Sequence, residues 1–181
     1  TKSTFNVQVM DKAAPEITSS HSDTTIDAGP GCQTELPDYT GEVSVTDNCD
    51  SDLQVDQSPA SGTTISGATN PITLSVTDDA GNQAETSFNV SVEDHTKPTI
   101  TSTHNDTTVN ANQNCQASLP DYTGQLAASD NCDADLQIGQ TPAPGTTLSG
   151  ADNTVTLSVT DDAGNSAETS FNVAVEDNSK P

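Results

Sequence analysis

Arginine and tryptophan are absent, and the only strong cations are four lysines. Without the arginine fork, bidentate capture of phosphate or carboxylate is excluded. Acidic residues number 27 and give a formal net charge of −23. A polyanion of this kind repels nucleic acid and anionic membrane surfaces, so neither is expected as a partner. No apolar run approaches the roughly 18 residues of a spanning helix, which speaks against direct membrane insertion, and no stretch reads as a signal peptide. Aromatics are 3% and hydrophobic residues 30% of the 181 residues, a level that alone would fit disorder. The spacing of what is present points to order instead.

The sequence repeats with a period of 83 residues. Cys32 and Cys115 are separated by that interval, as are Cys49 and Cys132. Val76-Thr77-Asp78-Asp79-Ala80-Gly81-Asn82 recurs as Val159-Thr160-Asp161-Asp162-Ala163-Gly164-Asn165. Without a gap, roughly two-thirds of the aligned positions are identical, the mark of a repeat array. Phe5-Asn6-Val7 matches Phe88-Asn89-Val90 and Phe171-Asn172-Val173, so residues 1–11 read as the closing strand of a preceding repeat. The first full repeat is expected over 12–94, the second over 95–177, and the start of a further linker over 178–181.

Each repeat reads as all-β. Ile72, Leu74 and Val76 alternate with polar residues, as do Phe88, Val90 and Val92 after an Asp-Asp-Ala-Gly-Asn turn. Period-2 patterning on both sides of such a turn predicts an antiparallel hairpin with one buried face. Ile17, Ile26, Val43 with Val45, Leu53 with Val55, and Ile65 mark shorter strands between glycines and prolines. A sandwich of about 80 residues has a small core and calls for staples, here cystine and metal.

The ordered motifs Asp47-Asn48-Cys49, Ser58 to Thr64, Val76 to Asn82 and Ser87 to Val90, with their partners Asp130-Asn131-Cys132, Thr141 to Thr147, Val159 to Asn165 and Ser170 to Val173, resemble the hyalin repeat (HYR). The resemblance covers both full repeats. It implies tandem immunoglobulin-like β-sandwiches in an end-to-end array, placed outside the cell or on its surface, and a part in adhesion or spacing. Near-identical copies look more like bacterial giant adhesins, including gliding-type ones of the Bacteroidetes kind, than like animal proteins. One departure is that Thr86 and Thr169 stand where many hyalin repeats carry a cysteine, which puts the family's usual cysteine pairing in doubt.

No pattern supports catalysis. His21, His95 and His104 lie in polar stretches without a nucleophile elbow, phosphate loop or His-Glu-x-x-His pattern, and read as solvent-exposed. Lys2, Lys12, Lys97 and Lys180 all fall in the opening strand or beside the interdomain prolines, so none is placed as the buried sheet lysine that an isopeptide staple needs.

The aspartates carry the sharpest chemistry. Carboxylates divide into 20 Asp and 7 Glu, with many Asp at turns. Ca²⁺ takes roughly six to eight oxygens from Asp, Asn and carbonyl groups in flexible loops, although Asp and Asn are also ordinary turn residues. In an immunoglobulin-like sandwich, the B–C and F–G loops share a pole with the N-terminus. Asp94 is therefore expected to share calcium with Asp130, Asp133, Asp135 and Asp161 or Asp162, and Asp11 with Asp47, Asp50, Asp52 and Asp78 or Asp79. From Asp94 to Ile100 there is no glycine and one proline, which suits a stiff joint between neighbouring repeats.

Four cysteines allow three connectivities. Cys32–Cys49 with Cys115–Cys132 is the one that repeats with the period inside each module. Asp23-Thr24-Thr25 and Asp106-Thr107-Thr108 look like an O-glycosylation signal of Bacteroidetes, which would put sugars on Thr24 and Thr107; a Thr-rich exposed strand is the plainer reading. The expected function is a non-enzymatic extracellular stalk segment, stiffened by calcium and cystine, that holds a distal tip towards surface glycans or other cells. Two alternatives stay open: the repeats themselves bind glycan, with Tyr39 and Tyr122 as the aromatic candidates, or the chain is an accessory module of a secreted hydrolase.

Overall fold

A computed structural model describes residues 2–178; of the linker expected at 178–181, all but Asn178 lies outside them. The chain divides into two compact units, Thr1–Glu93 and Asp94–Pro181. Asp94 thus opens the second unit, where the sequence suggested that it closes the first. Its backbone carbonyl accepts a hydrogen bond from the Asn165 amide at 3.2 Å.

Among the described residues the first unit has eight strands: β1 (Glu16–Ser19), β2 (Thr24–Asp27), β3 (Gln33–Glu35), β4 (Ser44–Thr46), β5 (Gln54–Ser58), β6 (Thr64–Ser66), β7 (Asn70–Thr77) and β8 (Gln83–Glu93). A four-stranded sheet runs β2-β8-β7-β5, and β1-β4 and β3-β6 form two antiparallel pairs. The expected hairpin is β7-β8, in register from Asn70↔Val90 to Thr77↔Gln83. Its alternation is fully realised: Ile72, Leu74, Val76 and Val90 have no exposed surface, and Phe88 has 4%. These side chains, with Leu36, Tyr39 and Ile65, make the core. β2 lies parallel to β8, Thr24 opposite Val90 and Asp27 opposite Glu93.

The second unit repeats this plan with β9 (Thr99–Ser102), β10 (Thr107–Asn110), β11 (Gln116–Ser118), β12 (Ala127–Ser129), β13 (Gln137–Thr141), β14 (Thr147–Ser149), β15 (Thr154–Thr160) and β16 (Ser166–Glu176). Its large sheet runs β10-β16-β15-β13, flanked by β9-β12 and β11-β14. Leu119, Tyr122, Leu126, Leu148, Val155, Leu157, Val159, Phe171 and Val173 form its core. Residues 2–15 form no strand. In that segment Phe5 is 85% and Val9 91% exposed, although the matching pattern in β8 is buried.

The cysteine pairing differs from expectation. Cys49 and Cys115 are free and exposed, so neither Cys32–Cys49 nor Cys115–Cys132 forms. The reason is the length of the closing strand. Cys32 follows β2 at the end of β8, where Ala28 N–H donates to the Glu93 carbonyl at 2.8 Å. Cys49 lies in the β4–β5 loop, in a pocket shared with Asp78 and Asp79 just before β8 begins. The 11 residues of β8 put about 30 Å between those ends, against the roughly 7 Å that a disulfide tolerates between Cα atoms.

His95 is exposed as expected, but His21 and His104 are half-buried. His21 packs between Tyr39 and Phe88, with ring centroids 4.7 Å from each, and its Nε2 lies 3.0 Å from Glu42. His104 packs likewise on Tyr122 and Phe171. Each supplies the apolar edge of an imidazole to a small core short of aromatics.

Candidate metal centres

Each unit gathers carboxylates at one end of its large sheet. In the second, ligand oxygens of Asp94, Asp130, Asp133 and Asp161 all lie within 4.8 Å of one another. In the first, Asp11, Asp47 and Asp78 do the same. The fold builds these groups from three places: the residue ahead of the first strand, the loop after β4 or β12, and the turn of the long hairpin.

The hairpin aspartates are the deepest, Asp78 at 6% and Asp161 at 4% exposure. The turn holds them in place. Asp161 accepts from the Asn165 backbone N–H at 2.7 Å and from its side-chain amide at 2.9 Å; Asp78 accepts both from Asn82 at 2.7 Å. The Asn82 amide, followed by backbone N–H groups of the turn, holds the Asp78 carboxyl below its ordinary range. Gly81 and Gly164, at φ 88° and 92°, give the turn the left-handed step that other residues adopt at a cost.

The loop aspartates are half used. One Asp130 oxygen accepts from the N–H groups of Cys132 and Asp133 at 2.9 and 3.2 Å; one Asp47 oxygen accepts from Cys49 and Asp50 at 2.9 and 3.1 Å. The second oxygen of each is buried without a hydrogen-bond partner. Asp94 is similar: one oxygen accepts from Thr96 N–H at 3.0 Å, and the other is buried and unpartnered. Orphaned buried carboxylate oxygens facing like charges are costly unless something positive meets them. An all-oxygen set in loops suits a hard cation such as Ca²⁺, and the residues present fit it.

Asp50 and Asp133 tie the loop to the turn. Asp133 accepts from Asp162 N–H and Asp50 from Asp79 N–H, both at 2.7 Å. The N–H groups of Asp52 and Asp79 hold the Asp50 carboxyl below its usual range. Asp50 lies outside the tight trio yet lines the same pocket of about 140 Å³, with Asp11, Cys49, Asp78, Asp79 and Ala80. Burial, then the Asp11 charge and hydrogen bond, push the Cys49 thiol up. Asp52, Asp79, Asp135 and Asp162, named from sequence, join neither group. Asn82 and Asn165 were missed as organisers, although their place four residues after a buried Asp is visible in the repeated motif.

Thr24 and Thr107 open β2 and β10 and are half-buried. The aspartates before them are occupied: Asp23 accepts from Asn89 N–H at 2.8 Å, and Asp106 from Asn172 N–H at 2.7 Å. Tyr39 and Tyr122, each 5% exposed, are core residues and offer no aromatic platform.

A family model described as the HYR domain matches residues 93–175, which span the second repeat. No curated protein matches. Among solved structures, the chain is similar to immunoglobulin domains 1–4 of Sidekick-1 (13% identity, TM-score 0.46, 91% of this chain and 49% of that one). It is also similar to Drosophila N-cadherin EC1-4 (11%, 0.44, 92% and 50%) and to human Protocadherin-24 EC1-2 (16%, 0.41, 92% and 99%). The chain spans about half the length of the first two.

Proposed function

We propose that this chain is a non-enzymatic segment of an extracellular, adhesion-type stalk, whose repeats each bind calcium at the carboxylate cluster. The observation that carries the reading is the set of buried, unpartnered oxygens on Asp47, Asp94 and Asp130, each inside or beside a group of further carboxylates. Asp94, Asp130, Asp133 and Asp161 hold one ion; Asp11, Asp47 and Asp78, with Asp50 near by, hold the other. The ion neutralises the clustered charge and fixes the residue at the start of each module against its two loops. Because Asp94 directly follows Glu93, that clamp acts on the chain where one unit passes into the next, which gives a stalk its stiffness.

The burial of Tyr39 and Tyr122 weighs against the repeats serving as a glycan platform, and no feature favours the hydrolase-module reading. Thr24 and Thr107 stay proposed as O-glycan sites; natively sourced protein whose intact mass carries no added hexose would remove them.

Asp130→Asn tests the cation reading with a change of sign. Asparagine keeps the oxygen that accepts from Cys132 and Asp133 but removes one charge. In chelator the variant should melt at or above the parent, because repulsion falls. In millimolar calcium it should melt below the parent and bind calcium at least tenfold more weakly at one site. Asp56→Asn, on the exposed strand β5, should change neither, and equal melting of D130N and parent in calcium would sink the reading.

A further inference from the structure

His21 and His104 are equivalent residues, one period apart, and each stands on the same two kinds of aromatic ring. Nδ1 of each faces the backbone carbonyl of the next residue, Ser22 or Asn105. A carbonyl only accepts, so this nitrogen carries a proton in both repeats. The other nitrogen sets the repeats apart. Nε2 of His21 lies 3.0 Å from the Glu42 carboxylate, on the short helical turn Thr40–Glu42. On the matching turn Thr123–Gln125 that place is taken by Gln125, a neutral amide.

The His21 ring therefore meets an acceptor at each nitrogen. A neutral imidazole has one N–H and leaves its other lone pair against an acceptor, whereas the imidazolium donates to both. The remaining groups around the ring do not compete for that role. Phe88 carries no charge. Burial, then the Glu42 charge, push the Tyr39 phenol up, so it stays neutral; for Tyr122 burial does so alone. The acids nearest in sequence are occupied. Asp23 accepts from Asn89 N–H at 2.8 Å, and Asp38 from the Thr40 N–H and hydroxyl at 2.9 and 2.8 Å.

We infer that His21 and Glu42 form a proton-operated latch in the first repeat that the second repeat lacks. With a proton on Nε2, the ring ties the segment between β1 and β2 to the turn after Tyr39, over the aromatic edge of the core. The stabilisation is present on the acid side of the ordinary histidine range, about pH 5 to 8, and is lost as pH rises and the ring gives up that proton. It draws on neither calcium nor the cysteines.

The test exchanges the partners within the whole two-repeat chain. Glu42→Gln removes the latch, and Gln125→Glu installs one beside His104. Melting is followed by calorimetry at about pH 6 and about pH 8, at one fixed calcium concentration. Glu85→Gln, on the exposed face of β8, serves as the charge control. Relative to the parent, Glu42→Gln should lose about 2–5 °C more at the acid pH than at the alkaline one. Gln125→Glu should change that difference by a similar amount in the opposite sense, and Glu85→Gln should leave it as it is. Equal shifts of Glu42→Gln at both pH values, a matching effect of Glu85→Gln, or no acid-side gain from Gln125→Glu would each overturn the latch.

Discussion

Asn82 and Asn165 show how a single residue sets the chemistry of this molecule. Each satisfies a buried hairpin aspartate with two hydrogen bonds, and the Asn82 amide favours the ionised form of Asp78 where burial alone would favour the neutral acid. Asp78 has a folded-state pKa below its unfolded value, so its contribution to stability is present above the ordinary carboxylate range and is lost as pH falls through the lowered value. Asn82→Ala removes the leading cause of that shift. The Asp78 carboxyl should then titrate at higher pH by carbon-detected NMR, and acid unfolding should begin at higher pH than in the parent. An unchanged titration would show that the backbone N–H groups suffice. From sequence the aspartates stood out as a class, but which of them converge did not. Asp52 and Asp135 lie in the same loops as Asp47 and Asp130 and join neither group, because loop course, not residue type, aims a side chain.

At the scale of the element, the long hairpins were legible and the short strands less so. Strands β7, β8, β15 and β16 alternate over seven to eleven residues, enough for period 2 to show. Strands β3 and β11 have three residues each and a single inward side chain, Thr34 and Ala117, so no pattern could mark them. The cysteine pairing failed for a related reason. The repeat period tells which cysteines are equivalent, but not that β2 runs parallel to β8 and carries Cys32 to the far end. Two substitutions check the hairpin. Leu74→Ala leaves a cavity under a side chain with no exposed surface and should cost about 2–5 kcal/mol in denaturant unfolding. Gly81→Ala, at φ 88°, should cost about 1–2 kcal/mol even though no atom lies within 4 Å of the added methyl. A loss confined to Leu74→Ala would mean that the turn relaxes without penalty.

At the scale of the whole molecule, a chain with net charge −23 holds two compact all-β units, each with its own core and its own cluster of acids. Small cores of this size are marginal, and concentrated charge lowers stability further. In the proposed reading, cations that neutralise the clusters would offset both effects, and that stabilisation should weaken as salt screens the charge. Small-angle scattering in calcium and in chelator checks the mechanical side. The distance distribution should broaden in chelator while circular dichroism keeps its β signal; identical curves would leave the joint independent of the ion. The most direct measurement is calorimetric titration of the two-repeat chain with calcium, alongside Asp47→Asn and Asp130→Asn. Calcium sites in both repeats predict binding heat in the parent, with a different part of it lost in each variant. No heat from the parent, or the same heat from all three proteins, would contradict the proposal and leave these aspartates as organisers of turns.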